Sequence, residues 1–201
     1  MSLSSSMALA KEFGIWLHEK MNERQFSGDD REQTSVAIFQ NCLDICDAIV
    51  VLLEARLPGP SLALARPLFE GYVRAFWLSK FASDAEISAF NQGNCPNFPG
   101  LLKAIGTDAE SGAAWIHNMY KVNFPAFHGL THGGHEHVFR RCTGNSVEPN
   151  YPEGELEKLV EISTEIRLRI GIEFLSLIQD EASVDSLFEK AKTLGLRSVS
   201  P

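Results

Sequence analysis

Residues 64–78 read Leu-Ala-Arg-Pro-Leu-Phe-Glu-Gly-Tyr-Val-Arg-Ala-Phe-Trp-Leu, and this stretch decides the fold class. Its apolar residues, Leu64, Leu68, Phe69, Tyr72, Val73, Phe76 and Trp77, recur at three and four positions, the period of a helix rather than of a strand. They nearly surround the helix, which marks it as a core element. Three charges interrupt the pattern. Arg66, Glu70 and Arg74 stand at i, i+4 and i+8 and so align along one side. Burying a charge is costly unless it is paired, and an Arg-Glu-Arg ladder pairs itself. Such a ladder is either a structural ion-pair network, a solvated face, or one wall of a functional site.

Working outward, the helix holding this stretch is expected from Ser61, a ready N-cap, to about Phe81. Pro67 either kinks it or marks the start of its regular part near Arg66. Pro58-Gly59-Pro60 reads as a stop before it. Upstream, a helix from after Ser6 to about Arg24 carries Leu9, Phe13, Trp16, Leu17 and Met21 on one face. A second, about Arg31 to Arg56, carries Val36, Phe39, Leu43, Cys46, Val50 and Leu53. Downstream, Ser83-Asp84-Ala85-Glu86 has the form of a capping box opening a short helix to about Gln92. The stretch from Gly93 to Gly100 reads as a loop. Short helices follow over about Gly100–Ile105 and Asp108–Lys121, then a histidine-rich segment from after Pro125 to Arg141 and a loop from Thr143 to Pro152. A long helix is expected over about Glu153–Asp180. Ser183 or Asp185 would cap a last one ending near Gly195. No stretch reads as a strand. The expectation is an all-α bundle of three to four long helices plus several short ones.

The 201 residues, 44% hydrophobic and 22% charged, fit one globular domain over 1–201, with flexible ends at about 1–6 and 196–201. A net charge of −8 and a pI near 5.2 argue against a broad electrostatic grip on nucleic acid and leave RNA only a local basic site. Cys42, Cys46, Cys95 and Cys142 form no Cys-x-x-Cys pair, so finger-type zinc is not expected. Cys42 and Cys46 lie in an apolar helical pattern, the usual setting of reduced, packed thiols. The first twenty residues lack the form of a signal peptide, and the longest apolar run, Ala48–Leu53, is far short of a bilayer span. These features imply a cytoplasmic chain with no membrane partner.

The second unusual feature is His128, His132, His135 and His137 within ten residues, with His117 upstream. His128 and His132 are four apart and share a helix face, as metal-ligand pairs do, but Gly129 stands where a zinc-protease helix has glutamate. The candidate metal ligands are His128, His132 and His135, completed by Glu136, Glu70 or a distant carboxylate; the identity of any cofactor stays open, and the reading with none stands beside it. Without metal, His128 and His132 suit acid–base work because imidazole titrates near neutrality. Glu70 would orient one of them, and Arg66, Arg74, Arg140 or Arg141 would hold an anionic group. Gly133 and Gly134 would let backbone approach a ligand. The plain alternative is that these histidines cap a helix end or sit in solvent. No phosphate-cradling loop, dinucleotide fingerprint or Gly-x-Ser-x-Gly elbow is present, and Cys95 and Cys142 have no evident activating neighbour.

The stretch Leu64–Leu78 together with His128-Gly129-Leu130-Thr131-His132-Gly133-Gly134 resembles a family of uncharacterised bacterial helical proteins, in which an Arg-x-x-x-Glu helix precedes a His-x-x-x-His-Gly-Gly segment. The similarity runs from the second helix to the last. A more distant resemblance is to the HEPN superfamily of helical bundles, many of them metal-independent RNases. Their motif, an Arg followed four to six residues later by a His, is not met here: His128 stands four before His132, and Asn123 five before His128. The resemblance implies a bundle with a His/Arg polar site. The expectations are therefore a HEPN-like protein acting on RNA or nucleotides through His128, His132 and Glu70, with anion binding by Arg66, Arg74 and Arg140; a metal-dependent helical hydrolase; or a non-catalytic interaction module. A homodimer is compatible with such a bundle, and no sequence feature establishes it.

Overall fold

The fold is that of a computed structural model, which describes residues 2–22, 28–107, 112–178 and 180–196, the side chain of Glu181 apart. Helix α1 spans Leu3–Met21 and α2 spans Asp30–Glu54. The first begins earlier than the apolar pattern suggests, inside the stretch expected as a flexible end. Ser2 supplies the N-cap, its side chain accepting the Ser5 N–H at 3.3 Å. The expected end at Arg24 lies outside the described residues. A reciprocal capping box of Asp29 and Glu32 fixes the start of α2. Its end is marked by Arg56, whose φ of 59° is left-handed.

Pro58-Gly59-Pro60 does not simply stop the chain. It forms the first turn of a six-residue helix, α3 (Pro58–Ala63), because proline lacks an N–H that the first turn would leave unpaired anyway. Ser61 is therefore not a cap: it is buried inside α3, donating its hydroxyl to the Ile49 carbonyl at 3.2 Å. Helix α4 spans Ala65–Lys80, so the regular part of the decisive stretch does begin beside Arg66, with Pro67 in its first turn. The box at Ser83 and Glu86 opens α5 (Asp84–Asn91), and Asn97 caps α6 (Phe98–Ile105).

The expected break at Pro125 is absent. Helix α7 runs Ala113–Thr131 straight through that proline, while the start expected at Asp108 lies outside the described residues. Aromatic packing on both sides holds it: Phe98 and Phe124 stack at 5.1 Å, Tyr120 and Phe124 pack at 4.8 Å, and Phe127 is buried. A short helix α8 (His135–Phe139) follows. The stretch expected as a loop holds a small antiparallel hairpin, β1 (Cys142–Thr143) paired with β2 (Ser146–Val147). Gly144, with φ of 58°, supplies the positive φ that a two-residue hairpin turn requires. Helix α9 spans Glu153–Leu177 and α10 spans Glu181–Thr193. Asp180, not Ser183 or Asp185, caps α10, accepting the Ser183 N–H at 3.0 Å.

Among the described residues the chain is all-α apart from the hairpin. Helix α4 lies on α2, with α9 against both, and α1 and α10 cover the outer side of α9. The main core gathers Phe39, Ile49, Phe69, Tyr72, Val73, Phe76, Trp77, Ile166 and Ile170, all buried. A smaller cluster of Phe13, Leu17, Phe174, Leu175 and Leu187 joins α1, α9 and α10. By length and composition α2 is apolar enough to cross a membrane, a test that core helices also pass. Here its apolar stripe is buried in the main core. What this architecture does for function is bring the first turns of α4 against the last turn of α7.

Candidate functional site

Arg66 is the centre of the site. It projects from the first turn of α4, where the neighbouring Ala65 and Leu68 are buried and hold the helix in place. Its Nε donates to Glu70 Oε1 at 2.6 Å, one helical turn on. The second carboxylate oxygen of Glu70 accepts from Arg74 Nη2 at 3.0 Å. The ladder read from the spacing is therefore continuous and half-buried, the side chains of Arg66, Glu70 and Arg74 being 20%, 15% and 31% exposed.

The other side of the Arg66 guanidinium meets α7. A single nitrogen, Nη1, hydrogen-bonds both His128 Nδ1 and His132 Nε2, the latter at 2.9 Å. The two imidazoles lie 4.9 Å apart, tilted at 62°. Guanidinium nitrogens only donate, so the ring atoms facing Arg66 must accept. That fixes the tautomers: in each neutral ring the proton sits on the other nitrogen, Nε2 of His128 and Nδ1 of His132. Both rings are exposed. The result is a cation flanked by two exposed imidazole N–H donors, an arrangement suited to an anion.

Phe124, one turn before His128, lies under Arg66 with its ring 5.0 Å from the guanidinium carbon. Thr131 ties the end of α7 to α3, donating its hydroxyl to the Ala63 carbonyl at 3.2 Å as well as to Phe127. Phe124 did not stand out in the sequence, and Thr131 did so only as part of the run Thr131-His132-Gly133-Gly134. The i−4 spacing of Phe124 from His128 was the available signal, hidden because Pro125 suggested a break between them.

The glycines of the histidine segment serve the chain rather than a ligand. Gly133, at φ of 65°, reverses the backbone after α7, and the Gly134 N–H closes the turn on the Gly129 carbonyl at 2.8 Å. This folds α8 back so that the Glu136 carboxylate sits on the bare Cα of Gly129: a methyl there would fall 1.7 Å from Glu136 Oε2. Gly129 is what allows the turn to close.

Three other candidates are drawn elsewhere. His135 is exposed on α8 with its ring beside Phe139. Arg140 is engaged by Glu155 in a two-pronged pair of 2.7 and 2.9 Å and by the Glu136 carbonyl at 2.8 Å. That carboxylate raises the affinity of Arg140 for its proton and takes the hydrogens an anion would need. His137 bonds the Leu130 carbonyl at 2.5 Å and the Tyr151 hydroxyl at 3.2 Å. His117 is also structural, its Nε2 3.2 Å from the Leu102 carbonyl. Among the described residues no group of three or more His, Cys, Asp or Glu is gathered to hold a metal ion. Moreover, the space between His128 and His132 is filled by a guanidinium, whose charge opposes a metal cation there.

A second arginine network escaped the sequence reading. Arg167 of α9 is buried, donates to the Ala10 carbonyl at 2.7 Å and pairs with Asp47 of α2. It passes so close to Gly14 that a methyl there would lie 2.2 Å from Nη1. It bolts α1, α2 and α9 together. The buried thiols lie in the same core: burial pushes Cys46 up to about 12 and raises Cys42 as well. Neither is a nucleophile near neutral pH.

No curated protein and no solved structure matches the chain. A family model described as "Family of unknown function (DUF6988)" matches residues 39–193, from the middle of α2 to the end of α10, and with most of its length covered the chain belongs to that family.

Proposed function

We propose that the Arg66–His128–His132 cluster is an acid–base site for anionic phosphate esters, and that its natural reaction is metal-independent cleavage of an RNA phosphodiester. The observation that carries this reading is the sharing of one guanidinium nitrogen between two exposed imidazoles. A phosphate oxygen arriving at Arg66 competes for those hydrogens and frees the two acceptor nitrogens. One imidazole then serves as base and the other, protonated from solvent and offset by the phosphate charge, as acid.

The ribose 2′-oxygen attacks phosphorus and its proton passes to the first imidazole. The bond from phosphorus to the 5′-oxygen breaks, and the second imidazole gives that oxygen its proton. The products are a 2′,3′-cyclic phosphate and a 5′-hydroxyl, with no oxidant or metal consumed. Arg66 balances the charge on the phosphate, while Glu70 fixes the guanidinium from behind and is itself held by Arg74. The site is open rather than enclosed, which suits a chain molecule. The overall charge of −8 limits the contact to a short stretch of it.

The test is incubation of the protein with short single-stranded RNA in excess chelator. The expected result is cyclic-phosphate-ended product, reduced about 10²–10⁴-fold by His128→Ala or His132→Ala. Absence of RNA turnover, or turnover undiminished in both variants, overturns the reading. A second reading is favoured by one observation: the same contacts, with Thr131 on Ala63, pin α7 to α3 and α4. On that reading the cluster only sets helix packing, and the double histidine variant would lose thermal stability while no ligand or substrate responded.

A further inference from the structure

Beside the cluster lies a cleft of about 280 Å³. It is bounded by α3 on one side, the end of α7 on another, and by His137, Tyr151 and Arg141 beyond. It adjoins the site through its walls: Thr131 lines it one residue before His132, Ala63 lines it three residues before Arg66, and the hydrogen bond from Thr131 to Ala63 joins the two. Its walls are mostly apolar, from Pro60, Ala63 and Leu130, with the aromatic ring of Tyr151 closing one side. The volume falls near the lower bound of small-ligand sites, roughly 300–1,000 Å³, and so admits one ring-sized group.

The polar groups of the cleft are few and fixed. His137 Nε2 donates to the Leu130 carbonyl, so in the neutral ring its Nδ1 accepts the Tyr151 hydroxyl hydrogen. The Tyr151 oxygen thereby keeps lone pairs for a donor in the cleft. Arg141 differs from its neighbour Arg140. Arg140 is spent on Glu155, whereas the Arg141 side chain is exposed and makes no ion pair with a described residue.

We infer that this cleft is a nucleobase subsite: it takes the base of the nucleotide whose phosphate is held at Arg66, and Arg141 takes the next phosphate along. The inference rests on the proposed reading of the Arg66 cluster and sharpens its substrate to an oligonucleotide of at least two phosphates. A largely apolar cleft with Arg141 on its wall and the Arg66 cluster next to it along α7 offers a nucleotide chain, in which a ring system lies between consecutive phosphates, a place for the ring and a cation for each phosphate. A free phosphate would use only the first of the two cations.

The probe is the deoxydinucleotide pTpT, which lacks the 2′-hydroxyl and so binds without turning over, set against inorganic phosphate. Amide and arginine side-chain NMR signals are followed in the intact chain. Phosphate should move the signals of Arg66, His128 and His132 alone, and pTpT should move these together with Gly59, Gly133 and Arg141. Arg141→Ala should weaken pTpT about tenfold, as expected for one charged hydrogen bond, and leave phosphate unchanged. Ala63→Leu, which narrows the slot, should do the same without touching a charge. If pTpT moves only the Arg66 cluster, or both variants bind it as tightly as the parent, the cleft inference is overturned and the anion site stands. If phosphate moves nothing at Arg66 while pTpT still moves the cleft, the reading of the Arg66 cluster fails instead.

Discussion

Arg66 and Arg167 are the same side chain put to opposite uses. Both bind a carboxylate and a second acceptor, and both join separate helices. Arg167 is 2% exposed and points its hydrogens at a backbone carbonyl and an aspartate. The carbonyl belongs to the α1 backbone and cannot leave without opening the α1–α9 junction, whereas the Asp47 carboxylate is itself exposed. Arg66 spends one edge on Glu70 and shares the other with two exposed imidazoles, which solvent or a ligand can replace at little cost. Burial decides what a guanidinium can do. Where water is excluded a guanidinium becomes a strut, because stripping it of its acceptors would strand a charge in a poor solvent. Where water reaches it, the bonds are exchangeable, and exchange is what binding and proton transfer require.

The contrast predicts an inverse order of effects on stability and on function. Arg167→Ala should be the most damaging to the fold, costing about 3 kcal/mol, because it empties the space the buried side chain fills between α1, α2 and α9 and removes its bond to the Ala10 carbonyl. In thermal unfolding that is roughly 6–12 °C for a chain of this size. A loss comparable with that of an ordinary surface change would show that Arg167 is no strut. Next comes Gly129→Ala, whose methyl would collide with the Glu136 carboxylate; the expected cost is about 1–3 kcal/mol. Adding Glu136→Ala should recover most of it, and failure of that rescue in a double-mutant cycle would refute the seat of Glu136 on Gly129.

His128→Ala and His132→Ala should each change stability by less than about 1 kcal/mol, since both rings are exposed, while abolishing nearly all RNA cleavage. A large stability loss with no activity to lose would move Arg66 to the side of Arg167.

A smaller effect sharpens the comparison through pH. Glu173 on α9 is half-buried, and that desolvation raises its carboxyl above the usual range despite Lys80 at 3.0 Å and the nearby Arg169. A group whose pKa is raised on folding contributes stability that is full below the unfolded value and is lost as pH climbs through the folded one. Glu173→Gln should therefore flatten the fall in stability above the ordinary carboxylate range, as read from denaturant midpoints across pH. An unchanged slope would show that Lys80 already compensates the burial. Least disruptive of all, iodoacetamide at pH 8 should label the exposed Cys95 and Cys142 in the native protein and reach Cys42 and Cys46 only after denaturation. Labelling of all four under native conditions would break the picture of a closed core.

The Arg-Glu-Arg ladder and the His128–His132 pair were legible because each is a local pattern: four residues along a helix put side chains on one face wherever the helix goes. That the two patterns meet was an expectation, and the geometry brings them to one guanidinium. The continuity of α7 through Pro125 was not legible. Local chemistry argues for a break there, and only the stack of Phe98, Tyr120 and Phe124 outweighs it. Arg140 was an expected anion binder, and what engages it instead is Glu155, fifteen residues away. The hairpin at Gly144-Asn145 carried a turn signal, but its strands are too short for alternation to show.

The sequence by itself determined an all-α chain, the span of most of its helices, and which short segments carry unusual polar groups, because periodicity and capping act within a few residues. Only the tertiary structure decided which arginine is a strut and which is exchangeable, which histidines share a cation, and that a cleft adjoins them. Those outcomes depend on burial and on contacts between residues as far apart as Ala10 and Arg167, and burial is a property of the packed whole that no local window contains.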